Sequence, residues 1–73
     1  MNINYDGGIF MFEGEYFIGE RNGKGKEYNN GKLQFEGEYL NNKRNGKGKE
    51  YNDYGRLLFE VEYLNGERNW IKI

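Results

Sequence analysis

The chain has 73 residues, 11 basic and 12 acidic, for a formal charge of −1, a balance that selects neither nucleic acid nor an anionic membrane as a partner. It contains no Cys, His, Ser, Thr, Ala or Pro, which removes the hydroxyl and thiol nucleophiles, the imidazole proton shuttle, and every His or Cys ligand for zinc or iron. No disulfide framework can form, which leans toward a reducing, cytoplasmic setting, and there is neither a run of about 18 apolar residues to span a membrane nor a signal peptide.

Taken in chain order, the elements are copies of one unit. Tyr5-Asp6-Gly7-Gly8 aligns with Tyr28-Asn29-Asn30-Gly31, 23 residues further on. Residues 1–11 are therefore read as a partial unit, with Met1 to Tyr5 expected to pair as a leading strand. The first full unit, residues 12–34, begins on Phe12-Glu13-Gly14-Glu15-Tyr16. Phe10, Phe12, Gly14 and Tyr16 share one phase of a two-residue period, the signature of a strand. A two-residue loop at Gly19-Glu20, with glycine supplying positive φ, turns the chain into Arg21-Asn22-Gly23-Lys24-Gly25-Lys26-Glu27-Tyr28. That register sets Tyr16 opposite Gly23, Glu15 opposite Lys24, Gly14 opposite Gly25 and Glu13 opposite Lys26. Asn29-Asn30-Gly31 reads as a three-residue loop whose glycine takes the left-handed bulge position, placing Gly25 beside Phe35.

The second unit, residues 35–58, repeats the pattern in Phe35-Glu36-Gly37-Glu38-Tyr39, and Arg44 to Tyr51 is identical to Arg21 to Tyr28. Leu33, Phe35, Gly37 and Tyr39 fall on one face, Gln34, Glu36, Glu38 and Leu40 on the other. Tyr39 is expected opposite Gly46, Glu38 opposite Lys47 and Gly37 opposite Gly48. Asn52-Asp53-Tyr54-Gly55 absorbs one extra residue and puts Gly48 beside Phe59. The terminal unit, residues 59–73, starts on Phe59-Glu60-Val61-Glu62-Tyr63 and diverges after Arg68-Asn69, where Trp70-Ile71-Lys72-Ile73 replaces Gly-Lys-Gly-Lys. Trp70 reads as a cap on the sheet. The whole predicts a single all-β domain over residues 1–73: one twisted antiparallel meander of stacked β-hairpins. One face carries rings around glycine, the other a Glu and Lys ladder whose pairs each contribute about 0.2–1 kcal/mol and fix register.

The order Glu15-Tyr16, Gly19-Glu20-Arg21-Asn22-Gly23-Lys24-Gly25, Tyr28 resembles the MORN-repeat consensus, in which a Gly-Glu-Tyr strand, an Asn-Gly-Lys-type turn and a Gly-X-Gly strand follow one another. The resemblance runs from about Tyr5 to Asn69, departing at Val61, at Asn41-Asn42 and after Asn69. It implies an elongated sheet used for protein interaction, self-association or the positioning of attached domains. Phospholipid binding and an antitoxin-like neutralisation of a partner protein are further implications of the family.

A binding module is the reading that follows, with no catalytic, cofactor or metal residue and no nucleic-acid partner. Paired carboxylates such as Glu13 and Glu15 recur in every unit, whereas a catalytic pair is needed once. Gly23-Lys24-Gly25-Lys26 lacks the spacing and the Ser or Thr of a phosphate-binding loop. Phe12, Tyr16, Phe35, Tyr39, Phe59, Tyr63 and Trp70 are core residues first and the candidate partner-binding face second, because a lone sheet must cover its apolar face with its own curl, a second copy as in a homodimer, or a ligand. Arg21, Lys24, Lys26, Arg44, Lys47 and Lys49 form a candidate anion stripe for peripheral attachment to phospholipid, countered by the neighbouring glutamates.

Overall fold

A computed structural model describes residues 10–69 and, as backbone only, residues 2–6. Period-two alternation and short turns produce seven strands: β1 (Asn2–Asp6), β2 (Phe10–Phe17), β3 (Glu20–Asn29), β4 (Lys32–Leu40), β5 (Lys43–Tyr51), β6 (Leu57–Leu64) and β7 (Glu67–Asn69). They pair in sequence order into one open antiparallel sheet, the expected all-β meander, with no helix among the described residues. The leading strand is present as β1, paired with β2 from Asn2↔Gly14 to Asp6↔Phe10.

The turns differ from expectation, and the difference propagates into register. The first hairpin turns on Ile18-Gly19, with φ of 49° and 78°, rather than on Gly19-Glu20. Positive φ at both central residues is the primed turn whose twist matches that of the strands, so Ile18 accepts a left-handed conformation that its side chain disfavours. Asn30-Gly31 likewise makes a two-residue turn, not a three-residue one, and Asn41-Asn42 and Asn65-Gly66 complete the set. Gly14↔Gly25 and Glu13↔Lys26 hold as expected, but nearer the turn Tyr16 pairs with Arg21 instead of Gly23. Asn22, Gly23 and Lys24 are left opposite Glu15 alone, a bulge that Gly23 permits with φ of 98°. In the second unit Gly37↔Gly48 holds, and Tyr39 pairs with Arg44 rather than Gly46.

Between units the register is displaced by two. Gly25 pairs with Gly37, and Glu27 takes the place opposite Phe35; Gly48 pairs with Val61, and Glu50 lies opposite Phe59. An even displacement preserves which side chains share a face, so the division into two faces stands from Phe35 to Tyr39 and from Phe59 to Tyr63. Nearer the loops Tyr28 pairs with Leu33 and Tyr51 with Leu57, a one-residue bulge that breaks the expected phase of Leu33 and Leu57.

The aromatic face packs along the sheet. The rings of Phe12 and Phe35, fully buried, lie against Gly25 and Gly48, where a Cβ would collide with them. Tyr16, Phe12, Tyr39, Phe35 and Tyr63 follow one another edge to face, with centroids 5.7, 5.0, 5.8 and 5.4 Å apart. Each such contact contributes about 0.5–1.5 kcal/mol beyond area burial. Glycine at position 37 is enforced by the neighbouring backbone: a Cβ there would stand 2.7 Å from the Gly48 Cα and the Lys47 carbonyl oxygen.

Candidate interaction surface

A single layer buries its rings because charged side chains lie across them. Arg21 and Arg44 place their guanidinium carbons 4.2 and 3.9 Å from the ring centroids of Phe12 and Phe35, and Arg68 lies 5.6 Å from that of Phe59. The strand phase that puts Gly25 on this face also puts Glu27 there, directly opposite Phe35. Glu27 is 8% exposed, and Arg44 donates to both of its carboxylate oxygens, from Nε at 3.0 Å and from its terminal nitrogen at 2.7 Å. The Tyr39 hydroxyl donates to the same carboxylate. One unit on, Glu50 receives Arg68 and the Tyr63 hydroxyl in the same way, and Arg44 bridges the two networks by donating to the Tyr63 oxygen at 3.0 Å.

These pairs titrate accordingly. Burial alone raises the Glu27 pKa, but hydrogen bonds from Arg44 and Tyr39, with the charges of Arg44 and Arg21, outweigh it and hold the carboxyl below its usual range. Burial and the adjoining Glu27 carboxylate both push the Tyr39 hydroxyl strongly upward. Arg44 is raised as well, Glu27 outweighing the opposing effect of burial. Glu27 and Glu50 went unmarked in the sequence reading, although their phase with Gly25 and Gly48 was a usable signal.

The opposite face is built from β2, β4 and β6 glutamates between β3 and β5 lysines, with Lys26 beside Glu13 and Glu36, and Lys49 beside Glu36 and Glu60. Register neighbours here are not ion pairs: among the described residues, every ion pair within 4.0 Å joins Arg44 or Arg68 to Glu27 or Glu50. Glu15 and Glu38 instead accept the backbone N–H of Lys24 and Lys47 at 3.0 and 3.1 Å inside the bulges. Glu13 and Glu36 accept the hydroxyls of Tyr28 and Tyr51 at 3.4 and 2.6 Å. The Glu36 hydrogen bond pushes Tyr51 up to about 12.

The candidate residues are thereby redistributed. Phe12, Phe35, Tyr39 and Tyr63 are buried, Tyr16 is partly buried, Phe59 is 43% exposed, and Trp70 lies outside the described residues. Arg21 and Arg44 belong to the aromatic face, while Lys24, Lys26, Lys47 and Lys49 are exposed on the other, so the six cations do not form one stripe. The surface the sequence reading missed is apolar. Phe17, Leu40 and Leu64, each directly following the first tyrosine of its unit, are 65%, 47% and 60% exposed at the hairpin tips. They share the strand phase of the glutamates and recur on every second strand, so they form a row spaced about 10 Å apart. The tips are tied together: the Asn42 N–H donates to the Arg21 carbonyl oxygen at 3.0 Å, the Arg21 N–H to the Asn42 side chain at 2.8 Å, and the Gly66 N–H to the Arg44 carbonyl oxygen at 2.9 Å. A second exposed cluster, Tyr54, Leu57 and Leu58, surrounds the loop before β6.

Comparison with known proteins returns one family. The model described as MORN repeat matches residues 12–33 and 35–56. No curated protein and no solved structure matches the chain.

Proposed function

The chain belongs to the MORN-repeat family, and on that premise we propose that it is a non-catalytic module that binds a partner protein through the exposed apolar row Phe17, Leu40 and Leu64. Repeats of this family are generally protein-interaction or membrane-interaction modules. The observation that supports the protein reading is the row itself: three repeat-equivalent positions hold large apolar side chains that the fold leaves 47–65% exposed. Exposed apolar residues scattered singly are ordinary, but a regularly spaced row on tips that hydrogen-bond to one another is a preorganised patch. The adjoining ladder mixes both charge signs, which sets orientation without drawing the module to an anionic surface.

Sedimentation equilibrium over a concentration series tests the case in which the partner is a second copy, with Leu40→Asp as the variant. Self-association lost in a still-folded variant supports the row. In parallel, cosedimentation with anionic vesicles that disappears in high salt and persists in Leu40→Asp would replace this reading with peripheral membrane attachment through the lysines.

A further inference from the structure

We propose that Arg21, Tyr16 and Phe12 form an open carboxylate seat, and that its ligand is an acidic side chain, glutamate foremost, presented by a partner polypeptide. The seat lies on the aromatic face, away from the apolar tip row, and does not depend on it.

The fold contains two filled versions of the same site. Arg44 stacks on Phe35 and grips Glu27 with two donors while the Tyr39 hydroxyl donates to that carboxylate. Arg68 grips Glu50, with Tyr63 as the hydroxyl donor. In each, the glutamate reaches the site from the strand preceding the aromatic one, paired directly opposite its phenylalanine: Glu27↔Phe35 and Glu50↔Phe59.

The first unit has the same cationic and hydroxyl parts. Arg21 lies over Phe12, with Tyr16 edge to face at 5.7 Å. The position opposite Phe12 belongs to Asn4. An amide carries no charge and only one acceptor oxygen, so it cannot satisfy a guanidinium fork as a carboxylate does. Among the described residues no carboxylate lies within 4.0 Å of the Arg21 guanidinium nitrogens, and no hydrogen bond is formed by the Tyr16 hydroxyl. The charge of Arg21 is felt by Glu27, but that carboxylate is already held by Arg44. Both Arg21 and Tyr16 remain partly exposed, so the seat is reachable from solvent. Its planar fork, hydroxyl donor and ring floor are complementary to a carboxylate in the arrangement Glu27 and Glu50 display.

The test follows the arginine Nε–H resonances of the isotope-labelled chain while a terminally blocked Gly-Glu-Gly peptide is added, with the Gly-Gln-Gly peptide and inorganic phosphate in separate titrations. The expected result is a saturable shift of the Arg21 resonance with the glutamate peptide and not with the glutamine peptide. Arg44 and Arg68, whose seats are filled, should stay still. Asn4→Glu supplies the missing carboxylate from within and should abolish the peptide response, and Tyr16→Phe, which removes the hydroxyl donor but keeps the Arg21 reporter, should weaken it. An Arg21 resonance that ignores the glutamate peptide, or a response undiminished in Asn4→Glu, overturns the proposal. A larger shift with phosphate than with the glutamate peptide overturns the carboxylate assignment. None of these readouts involves the Leu40 surface, so this proposal and the apolar-row reading fail separately.

Discussion

Phe35 and Phe59 occupy the same position in successive units, yet Phe35 is 1% exposed and Phe59 43%. Phe35 is covered by groups that arrive from later in the chain: Gly48 beneath the ring, Arg44 across it and Tyr63 at its edge. Where the repeat would place the next glycine after Phe59, the sequence has Lys72. Burial in this array is thus a property of the junction between units rather than of the unit, as expected for a quasi-one-dimensional repeat fold.

The largest effect separates the two phenylalanines directly. Phe35→Ala should cost about 3–5 kcal/mol, the range for deleting a fully buried ring, and Phe59→Ala about 1 kcal/mol, because its ring is already half in water. Urea unfolding of the two variants checks this, and equal losses would break the junction argument.

The next effect concerns the acid that closes the junction. Glu27→Gln leaves the Arg44 guanidinium facing a neutral amide, and removing one partner of a buried pair costs about 3–5 kcal/mol at full burial. The Arg44 side chain is 29% exposed, so solvent screening brings the expected loss to about 2 kcal/mol. Glu50→Gln should cost less, since its partner Arg68 is 42% exposed. The pH dependence carries a definite sign. The folded-state pKa of Glu27 is depressed below 4.5, so its stabilisation is fully present above that value and is lost as pH falls through the lower, folded-state pKa. Acid unfolding of Glu27→Gln should therefore be less steep below pH 4.5 than that of the parent chain, and parallel curves would count against the network.

How much of this was legible follows from parity. Two-residue alternation sorts Phe12, Gly14 and Tyr16 from Glu13 and Glu15 whatever the register, so the meander and its two faces are readable before the turns are known. The turns are not readable in the same way, because Ile18 at φ of 49° contradicts its own preference and is imposed by the twist of the hairpin. Register near the turns and between units slipped by two as a result. Phase also separates Gly25 and Glu27 from Lys24 and Lys26, so the buried acids were accessible to the same rule. Grouping Arg21 with the lysines by charge hid them, although Arg21 shares the phase of Gly25 and Glu27 and lies over Phe12.

The smallest effect lies on the ladder face, where junctions matter least. Tyr28 and Tyr51 are repeat-equivalent, and their hydroxyls stand 3.4 and 2.6 Å from Glu13 and Glu36. The shorter bond stabilises the protonated phenol and pushes Tyr51 up to about 12, from an ordinary value of 10.0. A raised phenol pKa gives stabilisation that is complete below 10.0 and disappears as pH climbs toward about 12. Glu36→Gln should return the Tyr51 titration, followed by ring resonances, toward its ordinary value while lowering urea stability by about 1 kcal/mol at most, the weight of one partly buried hydrogen bond. A large stability loss in Glu36→Gln would mean that the ladder, too, helps hold the units together, and burial of rings at the junction would no longer suffice to explain why Phe35 and Phe59 differ.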